Sequence, residues 1–472
     1  MESTHQPVNG ITEGPIRKQL LLFFFPILLG TFFQQLYNTV DAVVVGNFIG
    51  KEALAAVGGS TSVLINLLVG LFVGVASGGS VVIAQYFGEN SAEKMHKAIH
   101  TTLALGLTGG AFLMVLGLLF SPMALRITGT PEDVMPYAVT YMRIYFLGII
   151  GNLVYNLGAG VLRAVGDSKS PLYFLILCTV TNLVLDLLFV AVFHWGIAGV
   201  AWATILSRFL SAGMIVYKLT HANTIYHLYL TEIRFDAPTL KQIIEIGLPN
   251  GLQSVMYSLS NIIVQVSINS FGTDTIAAWT AYGKADGLFW MIIGAFGIAA
   301  TTFSGQNFGA KQYDRIRKSV RVGLNLSFTF SVGLSLIFYF SGSYIYRLFI
   351  QDPAVIAEGV SIMRTVVPFY FTYIFIEILS GAIRGTGDSL VPTIITSLGI
   401  CGIRIVWCSF IVPRWHDIRV VALSYPAAWI VTSLAFIAYY FWGGWMERRI
   451  KKVQLYEKSS PTGCNLHLGG KT

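Results

Sequence analysis

The sequence predicts an all-α integral membrane protein made of two similar six-helix halves. Three observations lead to this fold class: the composition, a succession of long apolar runs, and motifs that recur at a constant spacing. Of the 472 residues, 54% are hydrophobic and only 11% are charged, whereas soluble globular domains carry about 25% charged residues. A water-soluble core cannot bury this much apolar surface, so the composition argues against a soluble protein.

Apolar runs long enough to cross a bilayer follow one another along the chain, separated by short polar segments. They predict twelve transmembrane helices, at 17–45, 56–85, 97–120, 134–162, 171–193, 196–218, 243–270, 276–305, 318–341, 356–383, 391–412 and 420–445. The first run is too long for the apolar core of a signal peptide, so we expect it to be retained as the first helix.

Motifs of the first half recur in the second half, displaced by the same number of residues. The segment GVLRAVGDSKSP at 160–171 reappears as GAIRGTGDSLVP at 381–392, and AQYFG at 84–88 reappears as GQNFG at 305–309. A constant displacement indicates that one folding unit was duplicated. Because each copy holds an even number of predicted helices, both copies have the same orientation in the membrane, as in a parallel repeat.

The repeat predicts the domain organisation. We expect an N-lobe with helices one to six, a cytoplasmic linker, a C-lobe with helices seven to twelve, and a basic, mobile tail. Their bounds are 1–218, 219–242, 243–446 and 447–472.

The basic residues predict the orientation. If the N-terminus is cytoplasmic, most of the 31 lysines and arginines lie on the inner side. The outer loops then carry only Lys51, Arg126, Arg347, Arg414 and Arg419. By the positive-inside rule, both termini are cytoplasmic, as expected for a multi-pass protein of the cytoplasmic (inner) membrane of the cell. The net charge of +8 then matches anionic lipid at the inner leaflet and requires no nucleic-acid partner.

Two acids lie within predicted helices of the first half, Asp41 in helix one and Asp186 in helix five. An ionisable group in hydrocarbon costs at least about 2.5–3.5 kcal/mol, so these acids are functional candidates. Asn182 precedes Asp186 by one helical turn, and Thr204 of helix six comes out at a similar depth, in the outer half of the bilayer. Carboxylates, an amide and a hydroxyl make an oxygen-rich site that suits Na⁺ or a shared proton.

A substrate cavity is predicted next to these acids. Gln34, Tyr37 and Asn38 lie on the face of helix one that carries Asp41. Phe289 and Trp290 are aromatic residues of the second half that can stack on a flat cation. We therefore expect substrates that are small and amphipathic or cationic, although core packing also accounts for each aromatic residue singly.

The second half has no acid at the positions that match Asp41 and Asp186. Its own charges within predicted helices are Lys284, Asp286, Glu377 and Arg404. Asp286 and Arg404 come out at similar depths, which predicts an ion pair, and either a structural or a functional role stays open.

The recurring R-x-x-G-D turns lie at cytoplasmic helix ends. Their charged residues are Arg163 and Asp167 in the first half, and Arg384 and Asp388 in the second. We expect each arginine to pair with the aspartate of its own turn, in a structural or gating role. No metal-ligand motif stands out, so Na⁺ at the coupling site is the one metal ion that we consider.

These motifs resemble the multidrug and toxic compound extrusion (MATE) family over about residues 14–449. The resemblance is carried by QLYNTVDAVVVGNFIGKEALAAVG at 35–58, AQYFGE at 84–89, TNLVLDLLF at 181–189 and the two R-x-x-G-D turns. Within the family, the sequence is most similar to the bacterial DinF- and MepA-like branch.

The resemblance implies a V-shaped arrangement of the two six-helix bundles around a central cavity, and export of organic cations driven by entry of Na⁺ or H⁺. It also implies a cation site in the N-lobe. The residues that match this site are Asp41, Asn182, Asp186 and Thr204, with Tyr141 as a further member.

The sequence favours an antiporter that needs no cofactor apart from its coupling ion. An alternative is a flippase for lipids or lipid-linked precursors, for which we would expect a strongly basic central cavity. An integral membrane enzyme is a more remote alternative, because no Ser/His or HExxH arrangement is present. The sequence does not distinguish Na⁺ from H⁺, and one chain that contains both halves can function as a monomer.

Overall fold

The computed structural model describes residues 10–415 and 417–459, and within them the chain forms helices and no strand. The helices of the first half are α1 (Ile16–Phe48), α2 (Lys51–Gly58), α3 (Ser60–Glu89), α4 (Ala92–Ile127), α5 (Met135–Leu147), α6 (Ile149–Ala164), α7 (Lys169–Asp186) and α8 (Gly196–Thr220). Those of the second half are α9 (Ala237–Asn269), α10 (Thr273–Gly309), α11 (Tyr313–Arg347), α12 (Pro353–Val366), α13 (Tyr370–Gly385), α14 (Leu390–Thr396), α15 (Ile403–Val406), α16 (Ile418–Trp442) and α17 (Trp445–Ser459).

Ten helical spans of the described chain are long and apolar enough to cross a membrane. An eleventh is the pair α5 and α6, which is bent by 51°. Helix α9 occupies the predicted seventh span but is not among them, because polar residues such as Asn250, Gln253 and Asn261 interrupt its apolar surface. The all-helical membrane fold is therefore confirmed, and the exact count of twelve stays a prediction.

Several helices are broken where their sequence disfavours a regular α-helix. The bend between α5 and α6 falls at Gly148, where an added Cβ would lie 2.4 Å from the Ile205 side chain. Helix α7 continues into a π-helical turn, Leu187–Val192. Pro26 lies inside α1 and Pro249 at the matching place inside α9, where proline removes a backbone hydrogen bond and favours a kink.

Helices α3 and α9 join the two halves through glycines. A Cβ on Gly74 would lie 2.5 Å from the Cα of Gly251, and one on Gly247 would lie 1.8 Å from the carbonyl oxygen of Val75. The backbones therefore touch directly, as small residues allow between membrane helices.

The two halves also exchange a reciprocal pair of hydrogen bonds at the end that we predict to be cytoplasmic. Gln85 Nε2 donates to the carbonyl oxygen of Gly385 at 2.8 Å, and Gln306 Nε2 donates to that of Ala164 at 2.6 Å. Each glutamine belongs to the Q-x-F-G motif of one half and reaches the R-x-x-G-D turn of the other. The duplicated motifs thus meet across the junction and hold this end of the molecule together.

The segments that flank the helices pack at the same end. Arg315 donates to the carbonyl oxygens of Ile11, Glu13 and Gly14 at 2.9–3.0 Å. The predicted mobile tail begins as helix α17, whose Arg449 Nε donates to the carbonyl oxygen of Thr386 at 2.6 Å. The remainder of that tail, from residue 460, lies outside the described residues.

Candidate functional site

The N-lobe acids meet between α1, α7 and α8, which pack against one another. Asp41 comes from α1, Asn182 and Asp186 from α7, and Thr204 from α8. All four side chains are buried, with Asp186 at 0% exposure. Asp186 is the last residue of α7 before the π-helical turn, a distortion that is frequent at functional sites.

Asp41 is close enough to Asp186, Asn182 and Thr204 for their side chains to interact, yet no hydrogen bond of ordinary geometry satisfies the site. Buried polar atoms without a hydrogen-bond partner in the described chain include Tyr37 Oη, Asp41 Oδ1, both side-chain polar atoms of Asn182, both carboxylate oxygens of Asp186, and Thr204 Oγ1. A buried carboxylate without a partner is strongly unfavourable. This convergence of unpaired oxygens is therefore an incomplete polar network, of the kind that a bound cation completes.

The donor set fits either a hard cation or a proton. Carboxylate, amide and hydroxyl oxygens are the ligands that hard cations prefer. Two neighbouring carboxylates in apolar surroundings repel each other when both are ionised, which favours either a bound cation or a shared proton. Within residues 10–415 and 417–459, no group of three or more His, Cys, Asp or Glu residues is placed to hold a metal ion.

Tyr141 and Arg208 complete the surroundings of this site. Tyr141 on α5 is buried and lies within electrostatic reach of both acids. The guanidinium carbon of Arg208 lies 4.9 Å from the centroid of the Tyr37 ring, and its charge acts on Asp41. Arg208 was not predicted from the sequence, although it is an ionisable residue inside a predicted span, one turn after Thr204, which is the same signal that identified the acids.

The structure separates the residues that we predicted to line the substrate cavity. Gln34 and Asn38 are exposed on α1, whereas Tyr37 is buried beside the acids. Phe289 packs in the core of the other half, where its ring stacks on that of Tyr370 with centroids 3.9 Å apart. Trp290 belongs to the same aromatic cluster.

Asp286 in the second half is hydrogen-bonded on all sides. It accepts from Trp290 Nε1 at 2.6 Å, from Tyr282 Oη at 3.1 Å and from Tyr370 Oη. Arg404 instead donates to Asn261 Oδ1 at 2.8 Å and to Tyr425 Oη at 3.2 Å. In the part of the chain that the structure describes, the predicted ion pair between Asp286 and Arg404 does not form. Three donors already occupy the carboxylate, and the guanidinium is bound by α9 and α16.

The other two charged candidates of the second half are not brought to a common site. Lys284 is exposed. Glu377 lies against Gly297, where an added Cβ would meet its carboxylate, and the charge of Arg384 acts on it.

The R-x-x-G-D turns also depart from the expected pairing. Asp167 accepts from Ser170 Oγ at 2.6 Å and lies 3.9 Å from Lys218 Nζ. Asp388 accepts from Tyr439 Oη at 3.2 Å. Neither aspartate forms an ion pair with the arginine of its own turn among the described residues.

The local backbone of the first turn explains its changed pairing. Gly166 has φ 95° and Gly387 has φ 91°, a conformation that favours glycine. In the first half this turn aims Asp167 at the backbone N–H groups of Lys169 and Ser170, which begin α7. There the carboxylate acts as a helix cap.

The sequence model of the MatE family matches residues 26–188 and 249–410, which correspond to the two halves of the repeat. The probable multidrug resistance protein YoeA of Bacillus subtilis (strain 168) is 28% identical over 464 residues, covering 96% of this chain and all of that protein. The probable multidrug resistance protein YpnP of the same organism is also 28% identical, over 93% of this chain and 98% of its own length.

Solved structures share the fold. A crystal structure of MATE in the bent conformation superposes with a TM-score of 0.86 at 22% identity, covering 96% of this chain and 99% of that one. A MOP superfamily transporter from Pyrococcus furiosus Vc1 superposes with a TM-score of 0.84 at 23% identity, covering 95% and 99%.

Proposed function

This chain belongs to the MatE family, and we propose that it is a secondary active multidrug efflux transporter that exports organic cations in exchange for Na⁺ or H⁺. The observation that carries this proposal is the set of unpaired buried oxygens around Asp41 and Asp186. The chain also resembles probable multidrug resistance proteins over its whole length. No enzyme activity is part of the proposal.

The coupling ion acts by binding one conformation better than the other. A ligand shifts an equilibrium between two states only by its difference in affinity for them. Asp41, Asn182, Asp186 and Thr204 lie on three separate helices, so movement of α1 relative to α7 and α8 changes how many oxygens reach the ion. Entry of Na⁺ or H⁺ therefore favours the state in which these helices are closest, and release of the organic cation accompanies that change.

The family architecture supports alternating access. The glycine contacts between α3 and α9, together with the crossed glutamines Gln85 and Gln306, join the two halves at one end of the molecule. For the cavity to face that side, these contacts have to open. Rocking of the two halves about such a junction is the movement expected of a repeat transporter.

The test is efflux of a fluorescent organic cation from vesicles that contain the full chain, with an imposed Na⁺ gradient and an imposed pH gradient applied separately. We expect one gradient to drive efflux in the wild type and to lose its effect in Asp186→Asn. The matched control is Asp274→Asn, which removes an exposed acid at the start of α10. If neither gradient drives efflux by the wild-type protein, the result would contradict the antiporter and favour a flippase. Movement of a fluorescent lipid in the same vesicles then tests the flippase.

A further inference from the structure

A groove of about 610 Å³ lies on the surface of the first half where α1 and α7 begin. Its apolar wall includes Leu21, Leu22 and Phe25, and its other lining residues include Arg17, Lys18 and Lys169. No carboxylate is among the residues that line it. The groove thus combines three cationic side chains with an apolar surface.

The three cations are exposed and unpaired. Within residues 10–415 and 417–455, no carboxylate lies within ion-pairing distance of Arg17, Lys18 or Lys169. Other lysines at the same end differ, since Lys94 is 2.5 Å from Glu89 and Lys97 is 2.7 Å from Glu93. The positive charge of the groove is therefore available to an external anion.

The cationic and apolar parts lie at successive depths along α1. Arg17 and Lys18 are in its first turn, while Leu22 and Phe25 follow roughly 6–12 Å deeper at 1.5 Å per residue. Leu22 is 51% exposed and Phe25 is 45% exposed. An anionic head group at the membrane surface with acyl chains below it has the same order of charge and hydrocarbon.

The repeat supplies an internal comparison. Aligning Pro26 with Pro249 places Leu240 opposite Arg17, Lys241 opposite Lys18 and Glu245 opposite Leu22. The R-x-x-G-D turns place Leu390 opposite Lys169. In the second half, an acid therefore takes the place of the apolar Leu22, and the carboxylate of this acid, Glu245, lies 3.9 Å from Lys452 Nζ. The matching positions of the second half keep only one of the three basic residues, so a general excess of basic residues on this side does not account for the charge pattern of the groove.

We propose that this groove binds an anionic glycerophospholipid, with its phosphate at Arg17, Lys18 and Lys169 and its acyl chains along Leu22 and Phe25. Basic pockets between transmembrane helices on the cytoplasmic side are suited to such head groups. The occupant bridges α1 and α7, the helices that carry Asp41 and Asp186. The site is separate from the coupling site and does not depend on the proposed transport activity.

The test is native mass spectrometry of the full chain in detergent, titrated with phosphatidylglycerol or with phosphatidylcholine of identical acyl chains. We expect phosphatidylglycerol to bind more tightly to the wild type. The triple variant R17Q/K18Q/K169Q should lose at least about tenfold in that affinity. The control K241Q/K318Q/R321Q removes the same charge from exposed positions at the same end of the second half and should leave it unchanged.

Three results would overturn the proposal. They are equal losses in both triple variants, equal affinity for the two lipids in the wild type, or full competition by inorganic phosphate, which would indicate a free-anion site. The single change Lys169→Glu checks for a folding artefact, since it should weaken phosphatidylglycerol binding while the unfolding temperature of the lipid-free protein stays the same.

Discussion

Asp186 in the first half and Asp286 in the second are both carboxylates within apolar helices, yet only one of them is hydrogen-bonded. Among the described residues, both oxygens of Asp186 lack a hydrogen-bond partner, whereas Asp286 accepts from Tyr282, Trp290 and Tyr370. A fully satisfied carboxylate stabilises the fold and has little capacity left for an ion. This difference supports the proposal that the coupling ion binds at the acids of the first half, whereas Asp286 serves packing in the second half.

The junction between the halves has kept its symmetry, in contrast to the acids. Gln85 and Gln306 make equivalent hydrogen bonds. A Cβ on Gly88 would meet the carbonyl oxygen of Gln306 at 1.9 Å, and one on Gly309 would meet that of Gln85 at 1.8 Å. Both halves therefore make the same backbone contact at the junction.

The largest expected effect concerns the acid pair. An interaction with a charged group contributes about 1.5–3 kcal/mol, so loss of one carboxylate ligand in Asp41→Asn or Asp186→Asn should reduce gradient-driven efflux by up to about hundredfold. Because the two acids hold one ion together, the double variant should lose no more than either single variant. Asp286→Asn should retain most of the efflux per folded molecule. Additive losses at Asp41 and Asp186 would show that the acids act separately.

A smaller but still large effect is expected at the closing contact. Gly88→Ala and Gly309→Ala each place a methyl group against a backbone carbonyl oxygen, so the halves cannot approach and transport should fall severely. Gly213→Ala is the matched control, because nothing lies within 4 Å of its added Cβ.

The measurement for these glycine variants is the distance distribution between spin labels at Glu93 and Asp314, which are exposed in different halves. Both variants should lengthen it to a similar degree, whereas Gly213→Ala should not. A longer distance in only one of the two variants would show that the two glycine contacts are not equivalent.

The two acids should also differ in their effect on stability. Asp286→Ala leaves three donors unpaired at a cost of about 1–3 kcal/mol each, so its unfolding temperature in detergent should fall by several degrees. Asp186→Asn removes a charge that has no partner, so its unfolding temperature should stay the same or rise. Intrinsic fluorescence during heating measures both. A lower unfolding temperature for Asp186→Asn would mean that this carboxylate supports the fold.

The smallest expected effect is that of the crossed glutamines. Gln85→Ala and Gln306→Ala each remove one hydrogen bond, worth about 0.5–1.5 kcal/mol. Each should modestly increase the population of molecules in which the two halves are separated at this end. The same spin labels report the change, and the double variant should show the sum of the single effects. Gln351→Ala, which changes an exposed position in the loop before α12, serves as the control. An equal change in the spin-label distance for this control would show that Gln85 and Gln306 have no special role in closing this end.

Much of the fold was predictable from the sequence because it depends on local patterns. Apolar runs between polar segments gave the helices, and the repeated motifs gave the two halves. Helix α9 follows the predicted span 243–270 as a helix, although its polar side chains interrupt its apolar surface. The acids Asp41 and Asp186 were identified singly, because an ionisable residue in an apolar run is costly wherever it packs.

The class of protein, its duplication and the positions of its acids can therefore be read from the amino-acid order alone. The tertiary structure alone decided which acids have partners. Tyr370 reaches Asp286 from α13, Arg208 reaches the Tyr37 ring from α8, and each crossed glutamine binds the opposite half. These contacts join residues that are far apart in the chain. Helical periodicity fixes which side chains share one face of a helix, but only packing fixes which face of another helix they meet.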